Sequence, residues 1–404
     1  MAYLKDVNIQ AADSPSIDAF SRWRVSQLTT VLDLKHLHDK QPLLVNEVLN
    51  GTATSTHSTS LASVNMSTVA SGDYAIRQTY QRFQYQSGKS QLIFCTFSGF
   101  QSETNIIKRV GYFSSSTLAP YTVALDGLFL DSDGTDISVN IYRSGTVIEN
   151  TSQSSWNIDP LDGSGDSRIN VDWSKDQILV IDFQFLGVGR VRWGLDIDGK
   201  IVYFHESNHA NSLSDVYMSS PNQPIRYEIR QTGAGSGSFK MICAAVNSEG
   251  SINVIGRDGG IDDDGTHLNA NNTSDWYYAI GLRLATSRID TTVDIINGSL
   301  LSITRDNFLF RIVRNPTYAG TVTYNSITDY SIEYGLGATA NTISSMGHIL
   351  YSGTGAQSLS ESFDLESAVR LGMALDGTQD EHVLIVKPLS ANLDIHRSIN
   401  WREL

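Results

Sequence analysis

Apolar, β-branched and aromatic residues recur in runs of four to eight from residue 64 to about 250, separated by clusters of Gly, Ser, Asn and Asp. The clearest runs are YAIRQTYQRFQY (74–85), SQLIFCTFSGF (90–100), ISVNIYR (137–143), QILVIDFQFL (177–186), PIRYEIRQT (224–232) and FKMICAAVN (239–247). Side chains alternate between the two faces of a strand, so the spacing of Tyr74, Ile76, Gln78 and Tyr80, and of Ile137, Val139 and Ile141, predicts half-buried strands. Between the runs, DSDGTD (131–136), LDGSGD (161–166) and GAGSGS (233–238) supply turn chemistry. No sustained helical period is visible there. A second series, from WYYAIGLRLA (276–285) through NFLFRIVRNP (307–316) and HVLIVKPLS (382–390) to DIHRSINWREL (394–404), reads the same way. One helix is predicted inside it, starting at Ser362-Phe363-Asp364-Leu365-Glu366 and weakened by Gly372. The fold class that follows is all-β, two β-sandwich or jelly-roll-like regions. Their predicted limits are 51–250 and 275–404, joined by a Gly- and Asp-rich connection at 251–274.

Residues 1–50 keep neither period and mix isolated apolar anchors with basic residues. They are read as an extended N-terminal docking arm, with Arg22, Trp23, Arg24, Lys35 and Lys40 as its contact residues. A solvated basic face is the alternative.

Composition narrows the class. In 404 residues the net charge is −14, 18% of residues are charged and 40% are hydrophobic, so a packed core is available and the composition argues against global disorder. The acidic balance argues against a nucleic-acid partner, whose binding rests on clustered Lys and Arg. Cys95 and Cys243 both sit in apolar runs and read as buried thiols, not a disulfide framework. No apolar stretch approaches the length of a membrane span and no signal-peptide pattern opens the chain, so a soluble protein made in a cytoplasm is expected.

The most enzyme-like motif is His205-Glu206-Ser207-Asn208-His209, a literal H-E-x-x-H. On a helix this spacing places two imidazoles on one face for zinc, with the Glu beside the metal-bound water. Here the motif ends a strand-like run and leads into Asn208 and Asn211, so a strand end and loop are expected instead. Acidic turns at 131–136 and 258–265 invite a calcium reading, centred in the second on Asp262, Asp263 and Asp264, though neither keeps the EF-hand pattern. Trp276, Tyr277 and Tyr278 could form an exposed aromatic platform for a sugar or receptor, or could be core. No G-x-S-x-G elbow, P-loop or dinucleotide fingerprint is present. The expectation is a non-enzymatic protein without a cofactor.

Nine segments stand in order along the chain: DAFSRWRVS (18–26), KQPLL (40–44), YQSGKSQLI (85–93), KRVGYF (108–113), GVGRVRWG (187–194), YMSSPNQPIRYEI (217–229), ICAAVNSEG (242–250), RNPTYAG (314–320) and INWREL (399–404). Together they resemble a family of virion structural proteins of tailed bacteriophages, abundant in phages of aquatic bacteria. Trp23 stands where Leu is common in that pattern. The resemblance implies a structural component of the virion, made in the host bacterial cytoplasm and packed in symmetric copies, trimeric or hexamer-related, against other virion proteins. A tail position (baseplate, collar or fibre anchor) is the first expectation. The second is a capsid decoration protein or head fibre, and the third a receptor- or carbohydrate-binding module.

Overall fold

The computed structural model describes residues 17–19, 23, 27–250, 256–304, 306–356, 360–364, 370–390 and 392–404. The chain divides into two compact units: one of residues Met1–Thr79 and Tyr85–Ile252, the other of Tyr80–Gln84 and Asn253–Leu404. Both are all-β, and the helical pieces among the described residues are three single 3₁₀ turns.

The first unit contains an eight-stranded and a seven-stranded antiparallel sheet. In the larger sheet Gln91–Ser98 pairs with Gln177–Phe183 on one side and Gly237–Glu249 on the other. In the smaller, Ile225–Gln231 lies between Tyr74–Thr79 and Ile106–Ser115. The two sheets face each other. Tyr227 of the smaller sheet donates its hydroxyl to the Cys243 carbonyl of the larger at 3.0 Å and packs 5.9 Å from the Phe239 ring. Tyr112 and Phe183 close the same interior 5.7 Å apart. The alternation of Ile225, Tyr227 and Ile229 sends these side chains inward, where each is fully buried.

The second unit pairs a five-stranded with a six-stranded sheet around one core. Its longest strand, Leu393–Glu403, alternates buried and half-buried positions over its whole length. Ile395, Ile399 and Trp401 thereby meet Leu282, Ile312 and Leu384 from the opposite sheet. Burying each such aliphatic side chain contributes about 1.5–3 kcal/mol.

Three sequence expectations change here. Residues Leu28–Lys35 and Val45–Asn50 are strands of the first unit, pairing with Gly237–Glu249 and Tyr74–Thr79, so this part of the expected arm belongs to the body. The expected connection at 251–274 carries two strands, Arg257–Asp262 and Leu268–Ala270, both added to Leu393–Glu403. The predicted helix is wrong at its start: Ser360–Asp364 is a strand on Val293–Ser302, with Phe363 turned inward 5.5 Å from Phe310. Residues 365–369, the rest of that prediction, lie outside the described residues.

Candidate functional site

The H-E-x-x-H residues sit where a strand ends. His205 lies near the end of the strand Lys200–Ser207, opposite Trp193, and His209 lies beyond the strand in the following loop. The backbone N–H of Asn157 donates to His205 Nδ1 at 3.2 Å, which leaves the Nε2 proton to donate to Glu149, 2.6 Å away. Burial pushes the Glu149 carboxyl up, but the hydrogen bonds from His205 and Ser207 hold it below its ordinary value. His209 turns elsewhere: Nδ1 meets the Gly189 carbonyl at 2.7 Å and the ring stacks on Tyr217 at 4.3 Å. Burial lowers its pKa, partly offset by the Gly189 bond. Glu206 is held by Arg190 at 3.3 Å and by the Asn208 amide at 2.9 Å. The two imidazoles are therefore committed to different partners, and the strand geometry does not converge them on one ion.

The acidic turns close on themselves. Asp133 accepts the backbone N–H groups of Thr135 and Asp136 at 2.8 and 2.9 Å. Asp262 accepts from the N–H of Asp264 at 2.9 Å. Asp263 is buried and receives His396 Nδ1 at 2.9 Å and the Arg397 N–H at 3.2 Å. Among the described residues no group of three or more His, Cys, Asp or Glu is arranged around a common metal position.

The aromatic triplet does not form an exposed platform. Tyr277 and Tyr278 are buried on opposite faces of the strand Tyr277–Leu284, the first in the main core of the unit and the second in a smaller cluster. The Tyr278 hydroxyl meets that of Tyr324 at 2.6 Å. Trp276 is half-buried against the same cluster, with the Arg311 guanidinium 4.5 Å above its ring. Inward alternation and a polar partner for each phenol explain the burial.

Of the expected docking residues, Arg22 and Arg24 lie outside the described residues. Trp23 is 58% exposed. Lys35 pairs with Asp33 at 2.6 Å and Lys40 with Glu47 at 2.8 Å, both within the first unit. Just before Trp23 the chain is held on the larger sheet. Arg192 donates to the Ile17 carbonyl at 2.6 Å, and Gln184 to that of Ala19 at 3.3 Å. Arg192 is buried, paired with Asp182 and stacked over Tyr203 at 4.3 Å. Asp182 also accepts the hydroxyls of Tyr203 at 2.9 Å and Ser90 at 2.8 Å.

Sequence reasoning missed a buried cluster of ion pairs among the described residues. Arg226, Glu228 and Arg230 alternate with the core residues of Ile225–Gln231 and so point away from the sandwich interior, yet all three are buried. Their cover is the segment 116–123. Arg226 and Arg230 both donate to the Tyr121 carbonyl, at 3.0 and 2.6 Å, Arg230 also to that of Pro120 at 2.6 Å, and Arg109 to that of Thr122 at 3.2 Å. Glu228 pairs with Arg226, with Arg230 at 3.0 Å and with Arg109 at 3.5 Å. Burial pushes the Glu228 carboxyl up, but the three guanidiniums pull it down to about 2. Asp131 faces Arg109 at 3.4 Å, and its other oxygen is buried without a hydrogen-bond partner. Burial raises it to about 6, against the pull of Arg109 and with the push of Glu228. This arrangement clamps a surface loop to a sheet, and Leu118 stands on that loop as its exposed tip.

No protein-family model and no curated protein matches the sequence. Among solved structures, the carbohydrate recognition domain of Emp47p aligns at 12% identity over 56% of this chain and 99% of its own, with a TM-score of 0.35. A protein of unknown function from Shewanella oneidensis aligns at 8% identity over 60% of this chain and 96% of its own, with a TM-score of 0.37. A legume lectin-like domain from Entamoeba histolytica gives 9% identity, 55% and 98% coverage and a TM-score of 0.33. Nothing about ligands or function passes to this chain at such values.

Proposed function

We propose that this chain is a non-enzymatic structural protein of a tailed-bacteriophage virion, assembled in symmetric copies as a tail component. The observation that carries the reading is the ordered series of nine segments from DAFSRWRVS to INWREL, which spans nearly the whole sequence. The site chemistry supports it. Three of the titratable groups that the sequence offered for catalysis or metal binding have protein partners: His205 on Glu149, His209 on Gly189, Asp263 on His396. The buried ionic cluster around Glu228 fixes a loop. Sheet-rich units with a surface loop held by buried ion pairs suit a particle component that must keep its shape.

In this reading the docking arm is the segment before residue 27, because Leu28–Lys35 and Val45–Asn50 are needed for the sheets. Arg192 and Gln184 hold its root at Ile17 and Ala19, and Trp23 offers an exposed aromatic anchor beside it. Quantitative mass spectrometry of purified virions tests the assignment. A tail component appears at a low multiple of three or six per particle. Copy numbers matching the major capsid protein would replace the tail position with capsid decoration, and absence from the particle would end the virion reading.

A further inference from the structure

A sheet edge with free backbone groups pairs readily with another strand, and folded proteins usually block such edges with charges, Pro, bulges or covering segments. Most edges of this chain are blocked in that way. Lys200–Ser207 is covered, because the N–H groups of Ile158 and Asp159 both donate to the Phe204 carbonyl. Thr146–Ser152 carries Glu149 and a bulge, Val45–Asn50 carries Glu47, Arg257–Asp262 carries three charges and Ser360–Asp364 carries two. Among the described residues, the exception among edges longer than five residues is His348–Gly355, the last strand of the six-stranded sheet, which has no Asp, Glu, Lys, Arg or Pro.

This strand pairs with Phe308–Arg314 on one side. Among the described residues its other side has no backbone hydrogen-bond partner. Its one bulge lies at Leu350, so Tyr351–Gly355 runs regular and open. Ser352 and Thr354 are exposed, and Ile349 is an exposed apolar side chain on the same strand.

We propose that His348–Gly355 is a self-association edge, pairing antiparallel with the same strand of a second copy about a two-fold axis through Ser352. The strand complements itself in this register. Tyr351 of each copy falls opposite Gly353 of the other, and no charged side chains are brought together. Gly353 already makes room for an aromatic ring, since a Cβ there would stand 2.3 Å from Phe310 Cζ. Tyr351 stacks on that same Phe310 at 6.0 Å, so the second copy's Tyr351 extends an existing aromatic row. A strand from any other protein would have to match the same uncharged sequence of large and absent side chains, whereas a second copy does so by symmetry. The inference stands apart from the virion reading, and either can fail alone.

Sedimentation velocity on the intact chain tests it, with Ser352→Lys and Ser352→Glu as variants at an exposed position. The wild type shifts from monomer to dimer mass as concentration rises. Each variant places like charges opposite each other and stays monomeric at the concentration where half of the wild type is paired. An equimolar mixture of the two variants recovers the dimer. A wild type that remains monomeric, variants that dimerise as well as the wild type, or a mixture that fails to recover the dimer would each overturn the proposal.

Discussion

Glu228 holds together a group of residues that could not otherwise share a buried site. Three guanidiniums surround it, and the carbonyls of Pro120, Tyr121 and Thr122 take up donors that its two oxygens cannot. Removing one partner of such a buried group leaves the others uncompensated, a loss of about 3–5 kcal/mol. Glu228→Gln is expected to lose stability in that range, read from urea unfolding at neutral pH. Its neighbour Asp131 sets a pH dependence of the opposite kind. The folded carboxyl titrates at about 6, whereas in the unfolded chain it titrates near its ordinary value of about 4. Between those values the folded chain holds a proton that the unfolded chain has lost, so this group's contribution falls as pH rises through about 6. Glu228 works the other way, its contribution being lost as pH falls from the ordinary carboxylate range toward about 2. Asp131→Asn removes the first effect. The stability difference, wild type minus variant, is therefore expected to decline on going from pH 4 to pH 7, and a flat difference in urea titrations would contradict the assignment. The sequence showed these residues without their meaning. Ile225, Tyr227 and Ile229 alternating with Arg226, Glu228 and Arg230 reads as one face inward and one in water, and the covering segment lies more than 100 positions earlier in the chain.

At the scale of elements, alternation located most strands because their inward faces are continuous. It failed where that face is short. Leu28–Lys35 buries only Leu32 and Leu34, too few to separate a strand from an irregular arm. Ser362, Phe363 and Asp364 offered a helix start, but Phe363 finds an aromatic pocket beside Phe310 and Tyr351 and the segment extends along Val293–Ser302. His205–His209 was legible as a strand end and loop from the strand-like run before it and from Asn208 and Asn211, although the partner Glu149 was not. Two glycines show what a close strand approach requires. Gly111 and Gly127, on the paired strands Ile106–Ser115 and Ala124–Ser132, have φ of 155° and 135°. A Cβ on Gly127 would lie 2.3 Å from the Tyr112 carbonyl oxygen. Gly127→Ala is expected to cost about 1–3 kcal/mol in backbone conformation alone, with further loss as the strands separate and the Phe113–Phe129 ring contact at 4.4 Å opens. Thermal unfolding reads this directly, and an unchanged midpoint would contradict the close approach.

For the whole molecule, two all-β units and an acidic composition define a class of architecture without a function, since sandwiches carry many roles. The sequence outlined those units, but the excursion of Tyr80–Gln84 into the second one was not legible, because those residues continue the strand-like run 74–85 without a turn signal. The proposed function rests on the ordered segments, and the strands Leu28–Lys35 and Val45–Asn50 pair within the first unit, so the proposed arm is limited to the segment before them. The central claim is that this chain is a structural part of the virion tail. Cryo-electron microscopy of the intact particle tests it most directly, by tracing the chain in the density. The account predicts copies around the tail axis in a multiple of three or six, with the segment before residue 27 lying against a neighbouring protein. Density around the capsomers would contradict the tail position, and particles that lack the chain altogether would contradict the account itself.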